Sequence, residues 1–360
     1  MGDKITKVCV LGCGNVGVAI AADLSINGYD VTIVKTSQSR EGVFEKIQRN
    51  GNRVLKKENG EYQKAIISKM THDIEEVSTA DVVFLTIQST YHEQVIKNIS
   101  PYLNKGQIVV VICSYLSSLY FDKYCKDNMP VIVETTGPYL EGRIEEQDTE
   151  GEIVFRVGCR LTRSPLSIYP DSIAVKTMSR ICSLYKGFKQ EYSPIESALL
   201  NPNLVLHTVG SIMSIPRIEH SKGNFCMYRE AYARDNKATL QIMMQLDAEK
   251  MAVLRKMGLK PVDVFEAGGF LGDPMESFYA YSESSDRAIS PTSVQSRYIT
   301  EDVSQGLVLL ESIAKYVGVD VPITSSLISI AGAALNYDFR KEGRTIERLG
   351  GIGKICKASI

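Results

Sequence analysis

The chain has 360 residues, 44% hydrophobic and 23% charged, with a formal net charge of −1, which is the composition of an ordinary globular protein of one or two domains. No basic excess exists to drive nucleic-acid or anionic-membrane binding, and no apolar run reaches the length of a membrane span, since the longest, Ile323 to Leu335, is broken by Ser325, Ser326 and Ser329. The eight cysteines are scattered without metal-type spacing, and Met1-Gly2-Asp3-Lys4-Ile5 leads directly into the first strand, so the expectation is a cytoplasmic protein with reduced thiols, no metal site and no signal peptide.

The first predicted element is the buried strand Val8-Cys9-Val10-Leu11, which runs into Gly12-Cys13-Gly14-Asn15-Val16-Gly17. The three glycines have the spacing of a dinucleotide-binding turn. Gly12 permits the tight turn, Gly14 lets backbone approach a pyrophosphate, and Gly17 lets the next helix pack closely. The helix N-terminus, with Asn15, Val16 and Gly17, offers N–H groups and a positive dipole end to phosphates. Val18 to Leu24 reads as the start of an amphipathic helix, Asn27-Gly28 as its stop, and Tyr29 to Val34 as a second strand. A carboxylate at the end of that strand would accept from the ribose 2′-hydroxyl of NAD. The residue there is Lys35, followed by Thr36, Ser37, Ser39 and Arg40. Cations and hydroxyls hold a 2′-phosphate through charge-assisted bonds, which favours NADP(H). A solvated loop with NAD(H) as coenzyme stays open, because the acidic partner can come from elsewhere.

Three more apolar strands follow: Asp81 to Ile87, Gln107 to Cys113 and Pro130 to Glu134. Thr90 to Leu103 between them is helical in pattern until Pro101. This alternation predicts an α/β fold built on a Rossmann-type doubly wound parallel sheet. Polar residues just past the strand ends, Thr86, Gln88 and Ser114, are expected beside the coenzyme. Glu152 to Leu161 reads as one more strand. Beyond about residue 185 helical patterns dominate, most clearly over Leu240 to Met257 and Glu301 to Val317. Residues 1–185 are therefore read as a dinucleotide-binding domain and 186–360 as a mainly α-helical domain.

Of the four histidines, His72 and His92 lie in polar, exposed-looking surroundings and His220 in a loop-like stretch. His207 follows Asn201-Pro202, a good N-cap and first helical residue. A helix starting there puts Asn203, His207, Gly210 and Ser214 on one small, polar face. That face suits a substrate pocket or, equally, a core histidine bonded to a neighbour. In Ser296-Arg297-Tyr298-Ile299-Thr300-Glu301-Asp302-Val303, Thr300 is expected to cap a helix with Glu301 and Asp302 in its first turn. Acids there stabilise a helix dipole in any protein; Asp302 turned inward would hold an imidazole, and spacing admits both. Gly268 to Asp286 mixes glycines, aromatics and acids, which fits a lid over substrate or an ordinary surface loop.

At these residues the chain resembles the octopine/nopaline dehydrogenase group of opine dehydrogenases, N-(1-carboxyalkyl)amino-acid dehydrogenases included. The resemblance rests on the glycine turn, Asn201-Pro202-Asn203 leading to His207, Met227-Tyr228-Arg229-Glu230, Leu246-Asp247-Ala248-Glu249-Lys250, and Arg297 to Val303 with Gly306-Leu307-Val308 behind it. Ser304 and Gln305 stand where the family often has proline and an aromatic, and Lys35 departs from the acidic position of NAD-using members. The resemblance implies condensation of a 2-oxo acid such as pyruvate with the amino group of an amino acid, and reduction of the imine by NAD(P)H. It implies His207 as acid/base residue, Asp302 as its partner, and Arg297, Asn203 and Tyr228 as substrate-binding residues, in a homodimer. Other readings are a ketopantoate- or hydroxyacid-type carbonyl reductase on the same fold, and a non-enzymatic dinucleotide sensor.

Overall fold

The computed structural model describes residues 4–37, 42–146, 152–284 and 290–356. It forms two compact units, Met1–Ser197 and Ala198–Ile360. The division comes later than the change of sequence texture at 185. A last short strand at Phe188–Gln190 still pairs within the first unit, and Ser197 Oγ donates to Glu134 O at 3.3 Å.

Among the described residues the first unit has twelve strands: β1 (Lys7–Leu11), β2 (Asp30–Val34), β3 (Arg53–Glu58), β4 (Glu61–Ile66), β5 (Lys69–Thr71), β6 (Val82–Leu85), β7 (Ile108–Ile112), β8 (Val131–Thr135), β9 (Leu140–Glu146), β10 (Ile153–Arg160), β11 (Ser164–Tyr169) and β12 (Phe188–Gln190). Eight of them form one sheet in the order β12-β11-β8-β7-β6-β1-β2-β5. Neighbours run parallel except β11, which is antiparallel to β8. Val8–Leu11, Val82–Leu85 and Ile108–Ile112 are buried throughout, as strands covered on both faces must be. From β1 the chain goes to β2 on one side and later returns to β6 on the other. That reversal opens a crevice at the carboxyl end of β1, where the glycine turn lies.

The other four strands make a second sheet, β4-β3-β10-β9. The strand expected at Glu152 to Leu161 exists as β10, but it belongs here, antiparallel to β9 and parallel to β3. This sheet packs on helix α1 (Asn15–Ile26). The helix is consequently not amphipathic: every residue from Gly17 to Leu24 is buried, as a helix covered on all sides requires. Asp23, inside that helix, is neutralised from the second sheet. Lys56 Nζ lies 2.9 Å from its Oδ1, and Arg160 Nη2 2.7 Å from the same oxygen. Arg160 also grips Glu58, Nε to Oε1, at 2.9 Å. Burial pushes the Asp23 carboxyl up, but the hydrogen bonds from Arg160 and Lys56 outweigh it and hold the group below its ordinary value.

The second unit is helical. Its long members are Asn203–Met213, Lys237–Lys256, Pro274–Ser284, Val308–Val317 and Pro322–Leu335. Glu249 joins two of them: its carboxylate accepts from the N–H groups of Ile323 at 2.7 Å and Thr324 at 2.9 Å, capping Pro322–Leu335. His220 lies in the short helix Ile215–Ser221 rather than a loop. Within the 268–284 stretch, Pro274–Ser284 is a helix whose Phe278 is fully buried against Phe265, Phe270 and Tyr232. Asp286 lies outside the described residues. Among the described residues no single helix is long and apolar enough to cross a membrane, and no group of three or more His, Cys, Asp or Glu is placed to hold a metal ion.

Candidate coenzyme site and active site

The glycine turn has the shape of a phosphate cradle. Gly12 takes φ +114°, and a Cβ on it would stand 2.8 Å from Thr86 Oγ1. A Cβ on Gly17 would meet Gly12 O at 2.1 Å, whereas nothing lies within 4 Å of one built on Gly14. The turn is closed below and open above Gly14, where a pyrophosphate would approach the first-turn N–H groups of α1. These residues fit a dinucleotide. Thr86 belongs to the floor: its N–H and hydroxyl both donate to Leu11 O, at 3.0 and 2.8 Å. Gln88 is exposed beyond β6. The Asn15 side chain is used elsewhere, its Oδ1 accepting from Ile144 N–H at 2.9 Å. Burial pushes the Cys13 thiol up to about 12, so it stays protonated at neutral pH.

Lys35 is not a solvated loop cation. Its Nζ lies 2.5 Å from Glu45 Oε1, and the two side chains are 10% and 18% exposed. Thr36 is half-buried and Ser37 exposed; Ser39 and Arg40 lie outside the described residues. His92, read as exposed, is fully buried. Its Nδ1 is 2.7 Å from Ser117 Oγ and its Nε2 3.2 Å from Ile87 O. It braces the turn after β7, where Cys113, Tyr115 and Leu116 hold φ values of 54°, 46° and 65°, a left-handed backbone that such residues rarely adopt. Ser114, in that turn, is buried.

In the second unit, Asn201 Oδ1 accepts from Asn203 N–H at 3.0 Å, so the expected cap starts the Asn203–Met213 helix. His207 lies in its buried middle. Asp302 reaches it from another helix, with Oδ2 2.8 Å from Nδ1 and the side chains 3% and 2% exposed. An ionised carboxylate only accepts, so Nδ1 carries the proton and Nε2 becomes the exchangeable position of the ring. Gly210, one turn on, is where Met227 and Tyr232 press closest, at 3.1 and 3.0 Å from an added Cβ.

The Asp302 segment departs from expectation. Its helix begins at Arg297 after Ser296, not at Thr300. The Thr300 hydroxyl donates to Ser296 O at 3.1 Å, so it cannot cap. Glu301 and Asp302 are therefore not first-turn acids, and Asp302 opens a π-helical turn, Asp302–Leu307. Ser304 Oγ donates to Thr300 O at 2.6 Å, and Arg344 N–H donates to Ser304 O at 2.8 Å. The fully buried Arg344 also donates from Nε to Gln305 Oε1 at 3.0 Å. Ser304 and Gln305, the residues that depart from the family pattern, are thus the ones that bind the C-terminal segment to the wide turn.

The structure brings two tyrosines to the imidazole. Tyr298 stacks on it, ring centroids 3.7 Å apart at 6°, and Tyr228 stands edge-on at 6.4 Å. Tyr298 is one helical turn before Asp302, which puts both on one face; that spacing was the available signal for it. Arg297 lies beside the Tyr298 ring and Glu301. Its guanidinium lies 5.7 Å from the centroid of the Tyr298 ring, and Nη1 is 3.5 Å from Glu301 Oε2. Asn203 is half-buried one turn ahead of His207. A buried imidazole with a fixed tautomer, a carboxylate behind it and an arginine near the surface can move a proton beside a carboxylate-bearing substrate.

The chain is similar to known proteins in both units. Residues 190–335 match the model of the NAD/NADP octopine/nopaline dehydrogenase α-helical domain, and residues 8–113 that of ketopantoate reductase PanE/ApbA. An opine dehydrogenase of Arthrobacter sp. (strain 1C) is 27% identical over 350 residues, 95% of this chain and 94% of its own length. A vitopine synthase of Allorhizobium ampelinum is 25% identical, with 96% of each chain covered. An octopine dehydrogenase solved with NADH and L-arginine superposes with a TM-score of 0.72 at 17% identity, over 96% of each chain. With a dinucleotide turn in one unit and the octopine/nopaline dehydrogenase α-helical domain matched in the other, the chain is similar over nearly its whole length to opine dehydrogenases, and this supports an NAD(P)-dependent oxidoreductase acting on CH–NH groups.

Proposed function

We propose that this enzyme condenses a 2-oxo acid, such as pyruvate, with the amino group of an amino acid and reduces the resulting imine to a secondary amine. The buried His207–Asp302 contact at 2.8 Å carries this reading. Imine formation expels the carbonyl oxygen as water, which needs a proton donor near neutral pH, and imidazole supplies one. The Asp302 carboxylate fixes the tautomer and stabilises the protonated ring. Arg297 provides a two-pronged site for a substrate carboxylate, with Asn203 and Tyr228 beside the amino-acid partner. The nicotinamide coenzyme supplies the hydride. Lys35, Thr36, Ser37 and Arg40 supply cations and hydroxyls for a 2′-phosphate, so NADPH, the form that the sequence favours, is admitted alongside NADH. The relatives named opine dehydrogenase and vitopine synthase, and the solved relative holding NADH and L-arginine, support the substrate classes. The same reading makes the enzyme a cytoplasmic homodimer, which sedimentation of the purified protein would check.

The decisive assay follows loss of reduced-nicotinamide absorbance with NADPH and NADH in parallel. Pyruvate is given alone and then with pooled amino acids. Loss that needs both organic substrates is expected. Loss with pyruvate alone would replace the proposal with direct carbonyl reduction.

A further inference from the structure

The acid missing from the end of β2 is supplied ten residues later. Lys35 directly follows β2, and its N–H donates to Thr71 O at 3.0 Å, so its backbone is pinned beside the crevice. Its ammonium does not meet open space. It meets Glu45 Oε1 at 2.5 Å and lies 5.5 Å from the centroid of the Phe44 ring. Glu45 belongs to the first turn of the helix Val43–Arg49. Its second oxygen, Oε2, is buried and has no hydrogen-bond partner among the described residues. The hydrogen bond from Lys35 holds the Glu45 carboxyl below its usual range, so it is charged at neutral pH.

Resting on the dinucleotide reading above, we propose that Glu45 is the coenzyme-selectivity residue of this enzyme, its unsatisfied Oε2 accepting from the 2′-hydroxyl of NADH and its charge opposing the 2′-phosphate of NADPH. The pair then works in two directions. Lys35 attracts a phosphate through a charge-assisted bond, while Glu45 cancels that charge at contact distance and repels the same group. NADH meets the acceptor that its free hydroxyl needs. NADPH gains Lys35 only by displacing Glu45 from it. Both coenzymes are therefore admitted, and the balance between them lies with Glu45.

The test is direct binding, by titrating the fluorescence of NADH and NADPH with the full-length protein and no organic substrate. Glu45→Gln keeps the shape and a neutral acceptor for Lys35. It is expected to tighten NADPH and weaken NADH, moving the ratio of the two dissociation constants by about tenfold, the size of one charge-assisted hydrogen bond. Lys35→Gln is expected to weaken NADPH with little effect on NADH, which keeps the proposal testable if Glu45→Gln fails to fold. An unchanged ratio in Glu45→Gln, or NADPH weakened along with NADH, would overturn the proposal and leave Glu45 as a mere anchor for the lysine. Failure of the wild-type protein to bind either coenzyme would instead sink the dinucleotide reading itself.

Discussion

Gly14 and Gly17 do different work three residues apart, and alanine separates them. At Gly17 the added carbon would stand 2.1 Å from a backbone oxygen, so Gly17→Ala is expected to disrupt the turn and lower the melting temperature along with coenzyme binding. At Gly14 the space is open, so Gly14→Ala is expected to melt like wild type while coenzyme binding weakens. Equal melting losses in the two variants would contradict the cradle. In the second unit, His207→Ala is expected to slow turnover by roughly a hundredfold or more, the usual loss for a general acid/base, with coenzyme affinity little changed. Activity near wild type would remove the histidine from the chemistry. At this scale the sequence was legible wherever backbone geometry or a cap demanded one residue type, as at Gly12, Gly17 and Asn201. It was silent where the partner lies elsewhere in the chain: nothing in the spacing placed Glu45 on Lys35, and the one-turn spacing of Tyr298 and Asp302 was informative only once Asp302 was known to face the imidazole.

Among the elements, the π-helical turn at Asp302–Leu307 shows why a regular helical pattern misleads. The apolar periodicity through Leu307 and Leu310 suggested one helix from Glu301. The chain instead makes a wide turn there, and Ser304 O accepts from Arg344 N–H. Gly343 makes room, since a Cβ there would stand 2.6 Å from Ser304 O and 2.4 Å from Phe339 O. Gly343→Ala is therefore expected to cost about 1–3 kcal/mol by overpacking and to alter the pH dependence of turnover through Asp302. A purely structural role would lower the melting temperature and leave the pH profile of the folded fraction unmoved. Of the second sheet only β10 was read, and the hairpin beside it was missed for a related reason. Arg53–Glu58 and Glu61–Ile66 are rich in charge because one face of the hairpin meets water. The signal was in the turn, Asn59-Gly60 at φ 52° and 84°, a pair suited to a tight hairpin.

Over the whole molecule, stability has an acid limit with a definite sign. The Asp23 and Glu58 carboxyls are held below their ordinary values by Arg160 and Lys56. Each therefore adds stability that is present above its unfolded pKa, about 4, and is lost as pH falls through its lower folded value. Denaturation midpoints measured between pH 6 and 2 should drop in that acid window, and the drop should be shallower for Asp23→Asn. Asp23→Ala at pH 7 is expected to cost more than a surface pair does, because Arg160 and buried Lys56 each lose one of two carboxylates and are left with Glu58 alone; a loss below about 1 kcal/mol, the scale of a surface pair, would show the cluster to be solvated. The parallel sheet and the helical half were legible because burial on both faces writes long apolar runs. The covering sheet, β10 apart, was not, although it decides how firmly α1 is held. The borders of the large sheet carry a last consequence. Its outermost strands, β5 and β12, are three residues each, too short to template a neighbouring chain. Strand-to-strand fibril growth from either border is therefore blocked without any cost to the crevice at its centre.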